Sequence, residues 1–265
     1  MEKNIEQLIA QLDLDEPFEQ EISIRTLIGN NSARAILQLH VDQFYNNRLA
    51  GLNPQHTPIL LIGGKSSSVH VMARAISNSF GNLVLHTVSS KWLNDLIIPM
   101  HAFLGEGDEF SGYYIEGDKL NSHNQFQLSK ILKEKKIFYY SFESMSWEKK
   151  KFDRLIILST QNKDDLPNLL LKKFKIQVNL KKLSVDEIAL SLYQRKALLQ
   201  LKFSSDDLIS KIAQCCSDIG QAMEVLVMSL RIMRSRNEDV LNERHFNIAI
   251  RLLDKNMKAA GQKPG

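Results

Sequence analysis

Apolar positions fall into two alternating patterns along the first two thirds of the chain and into one pattern thereafter. From Ser32 to Tyr45 the residues Ala33, Ala35, Ile36, Leu39, Val41 and Phe44 keep mostly helical spacing, and the polar loop Asn53-Pro54-Gln55-His56-Thr57-Pro58 ends that stretch. Ile59-Leu60-Leu61-Ile62 is an unbroken apolar run closed by Gly63-Gly64, the pattern of a strand buried on both faces of a parallel sheet. Helical spacing returns from Val69 to Phe80 through Met72, Ala73 and Ile76. Leu83 to Val88 predicts another strand and Trp92 to Leu104 another helix. Tyr113-Tyr114-Ile115, Ile137-Phe138-Tyr139-Tyr140 and Leu155-Ile156-Ile157-Leu158 predict three more strands, the first two separated by a helical segment from Phe126 to Lys135. This alternation predicts an α/β fold, a doubly wound sheet with helices on both sides. Beyond Leu180 the strand pattern stops, and helical stretches near 184–201, 204–214, 218–235 and 242–254 predict a small all-helical domain. The expected organisation is a helical segment over 1–20, an α/β domain over 21–180, a helical domain over 181–254 and a polar tail over 255–265.

Composition narrows the function only a little. The 34 Lys and Arg against 30 Asp and Glu give a formal charge of +4, which permits a nucleic-acid partner without dictating one. Cys215 and Cys216 are adjacent inside an apolar helical stretch, so neither a disulfide framework nor metal-ligand spacing is indicated. No apolar run reaches the roughly 20 residues of a membrane span, and Met1 to Glu6 lacks the basic and apolar regions of a signal peptide. The expectation is a cytoplasmic protein.

Strand ends are where α/β sheets bind ligands. After the Ile59–Ile62 run, Gly63 opens an eight-residue stretch with the outline of a phosphate loop, G-x-x-x-x-G-K-[ST]. In that register Ser68 stands at the second glycine, Val69 at the lysine that reaches the phosphates, and His70 at the hydroxyl that holds Mg²⁺. A second register reads Gly64-Lys65-Ser66 as an intact G-K-S, with Ile59 at the first glycine and no loop between strand and helix. With the first register the order of segments resembles an AAA+ module of the RuvB branch-migration and clamp-loader type over roughly Ile22 to Leu253. Leu27-Ile28-Gly29-Asn30 sits at the family's I-G-Q lead-in. Tyr113 to Gly117 occupies the strand that should end in Asp-Glu, Leu155 to Thr160 the sensor strand, and Leu166 to Phe174 the run ending L-R-x-R-F. Ile219-Gly220-Gln221 matches the lid segment that supplies a sensor arginine.

The resemblance implies a parallel five-stranded AAA+ sheet with flanking helices, a helical lid and a nucleotide cleft, but six positions carry different chemistry. Val69 replaces the lysine and His70 the Ser or Thr; Gly117 replaces the water-polarising glutamate, Leu171 and Lys173 the arginines, and Gln221 the sensor arginine. Glu116 retains a carboxylate able to serve a cation, and Thr160 or Asn162 stands at the polar tip. The implied cleft, lined by Gly63, Gly64, Ser68, Val69, His70, Glu116, Gly117, Thr160 and Gln221, is expected to hold no cofactor, no metal and no catalytic residue. RuvB-type motors continue into a winged-helix domain after the lid; here only a polar tail follows.

Three further features each admit two readings. The run Ser66-Ser67-Ser68 suits a helix cap, and its hydroxyls also suit an anion. His70, His86, His101 and His123 lack partners at ligand spacing and read as surface or packing residues. Lys149-Lys150-Lys151 beside Trp147, and Lys172-Lys173, read either as solvated faces or as contacts to a phosphate backbone or a partner, with Trp147 stacking on a base. The leading expectation is an inactive AAA+-like protein acting as an interaction or scaffolding subunit of a larger assembly, beside a true AAA+ ATPase or another complex. The alternatives are a nucleic-acid-associated factor in recombination, replication or transposition, with weak nucleic-acid contact, and a divergent ATP-binding enzyme.

Overall fold

The computed structural model describes residues 22–64, 68–81, 83–88, 111–118, 120–141 and 145–261. The segment 1–20, the helix expected over Trp92 to Leu104, and Lys65, Ser66 and Ser67 lie outside the described residues. The chain divides into two compact units, one over Ile22–Lys182 and one containing the chain from Leu183 onward.

The first unit follows the order helix α1 (Asn31–Leu49), strand β1 (Ile59–Ile62), helix α2 (Val69–Ser79), strands β2 (Val84–Val88) and β3 (Ser111–Glu116), then helix α3 (Ser122–Glu134). Strands β4 (Lys136–Ser141), β5 (Ser146–Lys151) and β6 (Leu155–Thr160) come next, followed by the short helix α4 (Asn168–Leu171) and strand β7 (Ile176–Asn179). Five strands form one sheet in the order β2-β3-β6-β1-β7, and every neighbouring pair in it is parallel. Because each parallel step must return the chain to the same edge of the sheet, the connections carry helices, and the central strands are buried on both faces. Ile59, Leu60, Leu61 and all of Leu155–Leu158 are fully buried. Tyr113, Ile115, Leu128, Ile131, Leu170 and Phe174 complete the core on one side.

The expected strand at Ile137–Tyr140 forms, but it does not join this sheet. It pairs antiparallel with β5, from Lys136 opposite Lys151 to Ser141 opposite Ser146. The fifth place in the sheet belongs to β7, which pairs with β1 from Ile59 opposite Ile176 to Ile62 opposite Asn179. Gln177 and Asn179 interrupt the apolar run there, as befits an edge strand with one open side.

Ahead of α1 the backbone turns through two left-handed residues, Gly29 (φ 79°) and Asn30 (φ 50°). Asn30 donates from Nδ2 to the Lys181 carbonyl at 3.3 Å, and its Oδ1 accepts from the Lys181 amide at 2.7 Å. One amide side chain thus ties the start of the unit to its end.

The second unit holds helices α5 (Val185–Leu198), α6 (Asp207–Cys215), α7 (Ile219–Ser235) and α8 (Glu243–Gly261). Ser184 and Glu187 form a reciprocal capping box at the start of α5. A single parallel bridge joins Phe203 to Leu241, and Ile232 packs with Ala249 between α7 and α8. The last helix continues to Gly261, into the segment read as a polar tail. Among the described residues no helix is long and apolar enough to cross a membrane.

Replacing Asn30 tests the tie. Asn30→Ala loses both hydrogen bonds and places a Cβ-bearing residue without local compensation in the left-handed region, for a combined cost of about 2 kcal/mol. Asn30→Gly keeps the backbone free and loses about 1 kcal/mol. Chemical denaturation should separate the two variants; equal losses would show that the backbone conformation contributes nothing.

Candidate functional site

The carboxyl ends of β1, β3 and β6 lie side by side, so the residues that follow them share one edge of the sheet. After β1 the Gly63 amide donates to the Thr160 carbonyl at 2.9 Å, holding the start of the loop against β6. Ser68 then takes a left-handed conformation, φ 61° and ψ 34°, and α2 begins at Val69. The first register places the phosphate-loop lysine at that same residue. Val69 is buried in the first turn, with 9% of its surface exposed, so an apolar side chain packs inward from that position.

Ser68 is not the cap that the serine run led us to expect. An N-cap side chain reaches the second or third helical amide from extended backbone, whereas Ser68 is left-handed and makes no capping bond. Its Oγ is buried and has no hydrogen-bond partner among the described residues. A position that favours glycine therefore carries a serine whose hydroxyl is also unsatisfied.

At the end of β3, Glu116 meets His70. The His70 Nε2 lies 3.3 Å from Glu116 Oε1, with both side chains partly exposed. The two positions that would share Mg²⁺ in a working cleft thus face each other directly, as imidazole and carboxylate. Either is a metal-ligating group, but among the described residues no three His, Cys, Asp or Glu side chains gather in a cluster able to hold a metal. Tyr114, on the same strand face as Glu116, meets the His70 ring with centres 4.8 Å apart and planes 64° from parallel. The Tyr114 hydroxyl donates to Ser159 Oγ at 2.9 Å, and burial pushes its pKa up to about 12. It remains a neutral donor at neutral pH. Sequence reasoning missed Tyr114 and Ser159, although the period of two from Glu116 back to Tyr114 is a readable signal.

Gly117, where the family pattern has its glutamate, is pressed against β6. Its amide donates to the Ser159 carbonyl at 2.7 Å. A Cβ at this position would fall 2.6 Å from that same oxygen and 3.2 Å from Leu158 Cδ1. No side chain enters without moving the backbone of one strand. Gly64, by contrast, faces open space, with nothing within 4 Å of where its Cβ would be. Thr160 is buried and spends its hydroxyl on the Asn162 carbonyl at 2.7 Å, while Asn162 caps the next turn through the Asp164 amide. Both polar groups at the sensor tip are occupied by their own loop.

Lys172 and Lys173 follow α4, where the Lys173 amide donates to the Leu170 carbonyl at 2.9 Å and Phe174 anchors the turn in the core. Lys149, Lys150 and Lys151 form the end of β5, with exposed side chains; the Trp147 side chain lies outside the described residues. Gln221 belongs to the helical unit. Its Oε1 accepts from the Ser217 amide at 2.7 Å, and its own amide donates to Asp218 Oδ1 at 2.9 Å. It works as the return half of a helix cap, a role that the Asp218-x-x-Gln221 spacing also spells.

A five-stranded parallel sheet in this order, with a loop and helix after β1 and helices beyond, is the AAA+ fold. Solved structures similar to this chain are forms of RuvB from Thermotoga maritima. The one described as a Holliday junction branch migration motor is 16% identical, with a TM-score of 0.62, over 89% of this chain and 73% of that one. A mutant form reaches a TM-score of 0.64 at 17% identity, over 89% of this chain and 73% of its own. No family model and no curated protein matches the chain by sequence. At this identity the likeness is one of fold.

Two substitutions test the strained geometry. Ser68→Gly should raise stability by about 1 kcal/mol by relieving a left-handed Cβ. Gly117→Ala should lower it by about 2 kcal/mol by overpacking β3 against β6. Thermal melts of the two variants that move in the same direction would contradict this account of the loop and strand end.

Proposed function

We propose that this chain is an AAA+-fold protein that does not hydrolyse ATP and acts as an interaction or scaffolding subunit of a larger assembly. The observation that carries the reading is the packing of Gly117. A carboxylate that polarises water must stand at that strand end, and the 2.6 Å approach of the Ser159 carbonyl leaves no room for its Cβ. The inward packing of Val69 and the direct His70–Glu116 contact support the same reading, since in the first register Val69 stands where a lysine would offset phosphate charge.

What remains is shape with two exposed faces in the α/β unit. One is the loop edge at Gly64 and His70; the other surrounds α4, where Leu169 is 56% exposed beside Lys172 and Lys173. An apolar residue ringed by charge is the usual make-up of a small docking patch. A lasting complex of standard size would bury about 1,600 Å² in total.

Calorimetry of the full chain with Mg-ATP should show neither turnover nor micromolar binding. Turnover that vanishes in Glu116→Gln would overturn the inactive reading. For the scaffold, Gly64→Glu and Lys173→Glu each leave the fold intact and charge one face. At least one should strip a stable partner from the chain in native-cell purification by about ten-fold or more, as loss of an interface anchor does. If native mass analysis shows free monomer before and after both changes, the scaffolding role fails.

A further inference from the structure

The strands of the α/β unit enter from the edge opposite to His70 and Glu116, and a cavity opens there. It has a volume of about 770 Å³, inside the range of roughly 300–1,000 Å³ typical of small-molecule sites. Its walls come from the end of α1, the loop before β1, the turn after α2 and the segment joining β5 to β6. Every one of these belongs to the first unit.

One wall is aromatic. Phe44 stacks on His56 with ring centres 4.7 Å apart and planes 18° from parallel, and Phe80 meets both rings edge-on, at 5.2 and 5.3 Å. Burial holds the His56 imidazole below its usual pKa, so the ring is neutral at neutral pH, and its buried Nδ1 has no hydrogen-bond partner among the described residues. The rim is cationic. Arg48 reaches it from α1, and Lys150 and Lys151 from β5; none of the three has an ion-pair partner among the described residues. The carboxylate at the rim, Asp153, accepts the His56 amide at 3.2 Å. Arg154 at the back is held by the Tyr113 hydroxyl at 2.6 Å.

We propose that this cavity is a nucleotide site, taking a planar base against the aromatic wall and its phosphate at the cationic rim formed by Arg48 and the Lys150–Lys151 end of β5. Unpaired cations on two separate elements that line a recess with aromatic rings fit a ligand with one flat apolar part and one anionic part. An acidic peptide would use the cations and leave the rings unoccupied. The same chemistry is offered by a free mononucleotide and by one unit of a single strand, and rings that stack without hydrogen-bond readout are indifferent to base identity. The inference stands apart from the scaffolding role, because no residue of this cavity belongs to the loop edge or to α4.

The test titrates the full chain with a labelled oligothymidylate of about ten residues, a length matched to common single-strand sites, and separately with thymidine monophosphate. Binding of the oligomer is expected on the order of 10⁻⁴–10⁻⁶ M, with a log–log salt slope of about −0.7 for the one phosphate held. Much weaker binding of the monophosphate assigns the site to a strand, and comparable binding assigns it to the free nucleotide. The double change Lys150→Glu with Lys151→Glu should weaken either ligand by about ten-fold or more, while Gly64→Glu leaves both unchanged. Should the reversed pair disturb the thermal melt, the neutral pair Lys150→Gln with Lys151→Gln serves, with a smaller loss expected. The proposal is overturned if neither ligand binds, if the lysine changes leave binding intact, or if a polyglutamate of equal charge competes as well as the oligomer.

Discussion

Strand β1 is four residues long and hydrogen-bonded on both sides, to β6 and to β7, with three of its side chains wholly buried. A strand in that position leaves its backbone groups no solvent to fall back on, so its neighbours must lie in register with it along its whole length. Ile59 fixes Ile157 on one side and Ile176 on the other, and Ile62 fixes Thr160 and Asn179. From that double register follow the alignment of Gly63 with Thr160, the height at which β6 meets β3, and hence the pairing of Glu116 with Ser159. The arrangement of groups at the strand ends is thus set by apolar packing several residues away.

This also explains what a reader of the sequence could and could not see. β1 and β6 announce themselves as unbroken aliphatic runs, because a central parallel strand is buried on both faces and any polar residue there would be costly. β7 is short and polar at alternate places, and β5 reads Ser-Trp-Glu-Lys-Lys-Lys, a charged run with no period at all. Both are edge or hairpin strands, held by backbone pairing rather than by burial, so hydropathy carries little trace of them. The site divides in the same way. Its position after β1 and β3 was legible from the order of segments. The His70–Glu116 contact was not, because it depends on how far the first turn of α2 lies from the end of β3, and the meaning of Gly117 was hidden because a glycine at a strand end reads as a turn. Gln221 carries a second signal: its spacing from Asp218 also spells a cap, and the cap forms.

The two edges of the sheet differ in kind. At the carboxyl edge the polar groups other than Ser68 close on one another: Thr160 on Asn162, Tyr114 on Ser159, His70 against Glu116. At the amino edge Arg48, Lys150 and Lys151 remain open beside stacked rings. Buried groups satisfied internally have little left to offer a ligand, whereas unpaired cations over an aromatic wall hold their interaction energy in reserve.

The contact at Gly117 reaches beyond this one molecule to the sequences that lie near it. A glutamate placed there alone would meet the Ser159 carbonyl before its carboxylate reached any water. To be tolerated it would need a prior shift of β6, and β6 is pinned by β1. Each change is unfavourable without the other, so the two are coupled, and a carboxylate at that strand end is reached only by altering both strands together.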